Sequence, residues 1–155
     1  MLFNPKHEKH FGGLENQLRL AQAITPGLMV AVTADACERF PAHSPDTRAK
    51  FGRLISSGAW VDATLALIAL EVPEWKLRRL VYEDGEWLCS LSKEPRLPAG
   101  LDEMVEATHE ALPLAILIAL LEARRAQSMA SVPAIRTVPQ VSQGQGGAIC
   151  CDNFS

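Results

Sequence analysis

The chain has 155 residues, 48% of them hydrophobic and 21% charged, with a formal net charge of −3. Such a length carries one domain with room for tails, and the apolar share is enough for a core. The acidic balance excludes a whole-protein attraction to nucleic acid and leaves such binding only to a local basic patch.

The N-terminal stretch MLFNPKHEKHFGG contains no apolar run of the kind a signal peptide needs. The most apolar run, residues 111–121, is interrupted by Pro113 and closed by Glu122. It falls short of the roughly 20 residues that span a bilayer, so no membrane association and a cytoplasmic setting are expected. Cys37, Cys89, Cys150 and Cys151 show no framework spacing, which suits reduced thiols.

In chain order, residues 1–12 are polar and rich in His and Lys, and are expected to be loose. Leu14, Leu18, Ala21 and Ile24 recur at helical spacing and predict a short amphipathic helix over residues 13–24. Thr25-Pro26 reads as an N-cap followed by proline at the first helical position. The segment GLMVAVTADACERF fits a second helix ending before Pro41, while its centre, residues 28–32, fits a strand equally well. PAHSPDTR is a turn-rich connector in which Ser44 or Asp46 can cap the next helix. From there to Pro73 the pattern is helical, with Leu54, Val61, Leu65 and Ile68 in a stripe. Between Ala59 and Leu70 only Asp62 is charged, and a helix that is apolar all round is a buried one. Ser56-Ser57-Gly58 is a candidate break within it.

The strongest local signal is VYEDGEWLCSL, because Asp-Gly between apolar, aromatic-containing runs marks a type I′ hairpin turn. Residues 75–82 should pair with residues 86–92. The expected register opposes Tyr82 to Trp87, Leu80 to Cys89 and Arg78 to Leu91. KEPRLPAG is a connector, and residues 101–127 read as a helix capped by Asp102 and kinked or divided at Pro113. Beyond Gln127 the chain turns rich in Ser, Gln, Gly and Pro, which predicts a disordered tail.

Candidate chemistry is sparse. His7 and His10 are three apart, not the four of a zinc-protease helix, and a solvated terminus explains them. Cys150-Cys151 has no second cysteine pair or neighbouring His to complete a zinc site. GQGG at residues 144–147 follows no strand and opens no helix, unlike a phosphate loop. Ser56, Ser57 and Ser90 lack a nucleophile-elbow context. Glu103, Glu106 and Glu110 would run down one helix beside His109, a set that could do acid–base work but that a charged first turn and a solvated face explain more simply. The one basic stretch with aromatics is WKLRRLVY, in which Trp75, Lys76, Arg78 and Arg79 could contact nucleic acid or a partner. Its charges alternate along a strand, and five acidic residues from Glu71 to Glu86 offset them. Edge charges that discourage aggregation explain it more simply.

LISSGAWVDATLALIALEVPEWKLRRLVYEDGEWLCSLSKEP and HEALPLAILIALLEARR resemble a family of small uncharacterised alphaproteobacterial proteins of unknown function. The resemblance spans residues 50–125. It implies a bacterial cytoplasmic setting and carries no functional residue over.

The readings combine into an α+β fold, mainly helical with one antiparallel β-hairpin. They predict an α-β-β-α core over residues 46–127, one or two extra helices within residues 1–45, and a tail over residues 128–155. Two helices apolar on most sides exceed what one hairpin can bury, and exposed aliphatic surface marks an interface. The expected function is therefore a non-enzymatic interaction or regulatory module that associates with itself as a homodimer or with another protein. Leu114, Leu117, Ile118 and Leu121 are the expected dimer contacts. A nucleic-acid-binding regulator using residues 75–82 is the alternative, and an enzyme without a recognisable motif is the second. No catalytic, cofactor or metal residue is assigned.

Overall fold

The computed structural model describes residues 5–131, with side chains from residue 11 onward. His7 and His10 lie in the first helix, which starts at Pro5, so the expectation of a loose segment over residues 1–12 is corrected from that residue on; their side chains precede the described ones. The expectations for the cysteines at 150 and 151, for residues 144–147 and for the tail beyond residue 131 lie outside the described residues. Four helices come first: α1 (Pro5–Leu20), α2 (Pro26–Asp35), α3 (Pro45–Ser56) and α4 (Trp60–Glu71). A three-stranded antiparallel sheet follows, β1 (Lys76–Glu83), β2 (Glu86–Ser92) and β3 (Met104–His109), in spatial order β1-β2-β3. The last element is α5 (Leu112–Ala130).

Local chemistry sets most boundaries. Thr25 caps α2, its Oγ1 accepting the Leu28 amide at 3.2 Å, with Pro26 just inside. Residues 28–32 are therefore helical. Ser44 caps α3 in the same way through Thr47. The expected break after Ser56 is a helix stop: Gly58 takes φ of 71°, its amide returns to the Ile55 carbonyl, and the Ala59 amide returns to Leu54. One helical stretch thus becomes α3 and α4.

The hairpin forms as the Asp-Gly signal requires, with φ of 54° at Asp84 and 87° at Gly85. Tyr82 opposes Trp87, Leu80 opposes Cys89 and Arg79 opposes Ser90. Below that point the register slips, and Leu77, not Arg78, opposes Leu91. A bulge at Arg78 takes up the extra residue.

The helix expected over residues 101–127 is a correction. Residues 104–109 form β3, paired to β2 from Trp87↔His109 to Ser92↔Met104. Val105, Ala107 and His109 alternate with Glu106, Thr108 and Glu110, a period of two that suits an edge strand with one covered face. Pro113 does not kink a helix but stands in the first turn of α5, where its missing N–H costs nothing. Glu103, Glu106 and Glu110 consequently share no helix face. At the other end α5 continues to Ala130, so residues 128–130 belong to the fold.

The α-β-β-α core is therefore an incomplete description. α5 is the central element, fully buried from Leu114 to Leu121, with β2 and β3 on one side and α4 and α1 on others. Leu14, Leu18, Met29 and Val32 join the same buried cluster as Leu67, Leu91 and Leu117, so packing is continuous across residue 45. Ion pairs seal the α1–α5 contact: Arg125 bridges Glu15 and Glu122, and Arg19 also holds Glu15, at 2.7 Å. Burial pushes the Glu15 carboxyl up, but the hydrogen bonds and charges of Arg125 and Arg19 outweigh it and hold it below its ordinary value.

Candidate functional site at the open edge of β1

The three-stranded sheet leaves β1 and β3 as its edges. Opposed residues in an antiparallel pair share a face. Tyr82, Trp87 and His109 therefore lie on one face, as do Leu80, Cys89 and Ala107, and Leu91 with Val105. This is the face that carries the buried Cys89, Leu91 and Ala107, and it packs on α5. In an unbroken strand Leu77 and Tyr82, five positions apart, would point to opposite faces. The bulge at Arg78 brings Leu77 round to the helix-side face with Tyr82.

Both of these side chains are exposed at the margin of that face, Leu77 by 42% and Tyr82 by 59%. Tyr82 rests its ring against Trp87, centroids 5.2 Å apart. Beside Leu77, between β1 and α4, lies an open groove of about 220 Å³ lined by Leu65, Ile68, Ala69, Pro73, Trp75 and Leu77, with Lys76 at its rim. The β3 edge has no comparable exposed large apolar side chain. The charges along β1 are ordered: Lys76 and Arg79 toward its start, Glu83 at its end, with Asp84 and Glu86 just beyond.

Two internal clamps are built on carboxylates with no exposed surface. Arg78 donates to Asp102 Oδ2 at 2.8 Å and to the Leu97 carbonyl at 3.1 Å, while the Glu94 amide donates to Asp102 Oδ1 at 2.9 Å. The loop from Lys93 to Glu103 is thereby folded back onto β1. Burial pushes the Asp102 carboxyl up, but the Glu94 amide and the Arg78 guanidinium, among its partners, hold it below its ordinary value. Asp102 is thus a loop clamp and not the helix cap that the sequence suggests.

The second clamp sits at the end of α4. Glu71 is fully buried, and its carboxylate accepts the amides of Glu38 (2.8 Å), Arg39 (3.0 Å) and Phe40 (3.1 Å). Arg124 stands 3.6 Å from it and donates through Nε to the Ala36 carbonyl at 3.2 Å. Three successive amides converging on one carboxylate form an anion nest, here filled by the chain itself. Cys37 is buried beside this cluster; burial, then the Glu71 charge, pushes its thiol far up. Burial likewise pushes Cys89 up to about 12. Neither thiol is a nucleophile at neutral pH.

The sequence-predicted sites are dispersed by this geometry. Leu114, Leu117, Ile118 and Leu121 have no exposed surface and cannot form a dimer contact. The apolar surplus of α5 is absorbed by α1, α4 and the sheet. Of the proposed basic strip, Trp75 is 2% exposed and cannot stack on a base. Its ring instead faces the Lys93 ammonium at 5.3 Å, and its indole N–H is buried without an acceptor among the described residues. Arg78 is spent on Asp102, and Arg79 pairs with Glu83 at 3.2 Å. Lys76 donates to the Pro73 carbonyl at 2.8 Å. The sequence reading missed the pairing of Leu77 with Tyr82 on one face, for which the bulge leaves no local signature.

Among the described residues, no group of three or more His, Cys, Asp or Glu is placed to hold a metal ion. No helix there is long and apolar enough to cross a membrane. No protein-family model, curated protein or solved structure matches the chain.

Proposed function

We propose that the protein is a non-enzymatic interaction module whose working surface is the β1 edge. An edge strand offers a row of backbone donors and acceptors to another chain, and pockets beside it give the added chain its specificity. The single observation that carries this reading is the coincidence, on one edge, of two exposed apolar side chains and an apolar groove. The buried acid and buried thiols support it from the other side. Glu71 is saturated by backbone amides, and Cys37 and Cys89 are held as neutral thiols, so the most enclosed reactive groups serve packing.

Site-specific photo-crosslinking in the native cell tests it. A photoreactive amino acid at Tyr82 should give discrete protein adducts, while the same group at Arg48 on α3 should not. Equal labelling at both positions, or none at Tyr82, would remove the β1 edge as the interaction surface.

A further inference from the structure

We propose that the occupant of the β1 edge is a second copy of this chain, docked antiparallel about a two-fold axis near the middle of β1. The inference rests on the reading of β1 as an interaction surface and adds the identity of the partner.

Self-complementarity carries the argument. A two-fold contact must match a surface to itself, so each feature needs its counterpart an equal distance across the axis. β1 meets that condition in charge. Lys76 stands at its first position and Glu83 at its last, so antiparallel approach sets Lys76 of each copy against Glu83 of the other. The same approach sets Leu77 of each copy against Tyr82 of the other. Those are the two large apolar side chains that β1 leaves exposed.

The bulge makes this match possible. Across a perpendicular two-fold the helix-side face of one sheet continues into the helix-side face of the other. Leu77 and Tyr82 can meet only if both lie on that face, and without the slip at Arg78 they would not. The groove adds a receptor. It opens beside Leu77 on the α4 side of β1, and its walls are apolar with Lys76 at the rim. The exposed ring of the second copy's Tyr82 arrives at that point and fills it. Two such contacts form per dimer, one at each end of the paired strands.

The contact is small, which places the dissociation constant in the micromolar range, on the order of 10–100 µM. Sedimentation equilibrium of the full chain across that range, with five proteins, tests the proposal. Wild type should show a monomer–dimer equilibrium. K76E and E83K each set like charges together twice per dimer and should weaken association by about 10-fold. The K76E/E83K double variant restores opposite charges and should recover association to near wild type. Tyr82→Lys should weaken it by more than 10-fold, because it removes the ring from both grooves. Lys76, Tyr82 and Glu83 are all solvent-facing, and matched circular dichroism spectra are expected for variants that fold.

A wild-type protein that stays monomeric throughout overturns the second-copy inference. So does a dimer indifferent to all the variants, or a double variant no better than the singles. If the wild type is monomeric while Tyr82 still crosslinks to a different protein in the cell, the edge remains an interaction surface and only its occupant changes.

Discussion

Asp84 and Gly85 both sit at positive φ, at 54° and 87°, and only the second lacks a Cβ to strain there. Gly85→Val forces a β-branched residue into that region and should cost about 1–3 kcal/mol. A midpoint in denaturant equal to wild type would show that the turn tolerates a side chain at that φ. Glu71 is the second residue on which much depends. Glu71→Gln keeps the shape but replaces one acceptor oxygen with a donor aimed at amides that are themselves donors. It also leaves Arg124 without its buried counter-charge. The expected loss is about 3 kcal/mol, read as a lowered denaturation midpoint. A change within experimental scatter would mean that the three amides find other acceptors. Both residues differ in how visible they are in the sequence. Asp-Gly announces its turn because few residue pairs tolerate that geometry, whereas Glu71 reads as the ordinary charged end of a helix. Its partners lie more than thirty positions away, and no local pattern encodes them.

Among the elements, the hairpin and α2 to α4 follow from short-range rules: the Asp-Gly turn, the Thr25 and Ser44 caps and the Gly58 stop, whereas α1 runs over Pro5–Leu20 and not over residues 13–24. The third strand does not. DEMVEATHE carries charges at spacings that suit a helix, and its period of two is decided only when β2 offers a partner and α5 covers Ala107 and His109. Asp102 and Arg78 tie the loop before that strand to the hairpin, and their pair gives the loop a pH dependence. The Asp102 pKa is depressed below its ordinary 3.8 in the folded protein. Its contribution is therefore fully present above that unfolded value and is lost as the pH falls toward the depressed folded value. Asp102→Asn should be less stable than wild type at pH 7. The gap should narrow as the pH falls below 3.8 and close below the depressed folded value, where folded wild type also loses the charge. A constant gap between them across the acid range would show that the carboxylate charge is not what holds the loop.

For the whole molecule, the sequence is informative about how much apolar surface exists and silent about what covers it. Leu114, Leu117, Ile118 and Leu121 look like surplus when α5 is matched to a two-stranded hairpin alone. Adding α1 and a third strand buries them within one chain. Among the side chains that stay exposed, Leu77 and Tyr82 are brought to one face of β1 by a bulge that no residue pattern foretells. The division into a 46–127 core and an N-terminal addition loses its basis for the same reason, since Leu14 and Leu18 pack in the common cluster. The most direct measurement of the central claim, that the β1 edge pairs with the β1 edge of a second copy, is amide hydrogen exchange of the full chain at low and high concentration. Amides of residues 76–83 should gain protection as concentration rises, while those of the opposite edge, residues 104–109, stay unchanged. Protection that does not rise with concentration at β1, or rises at β3 instead, would contradict it.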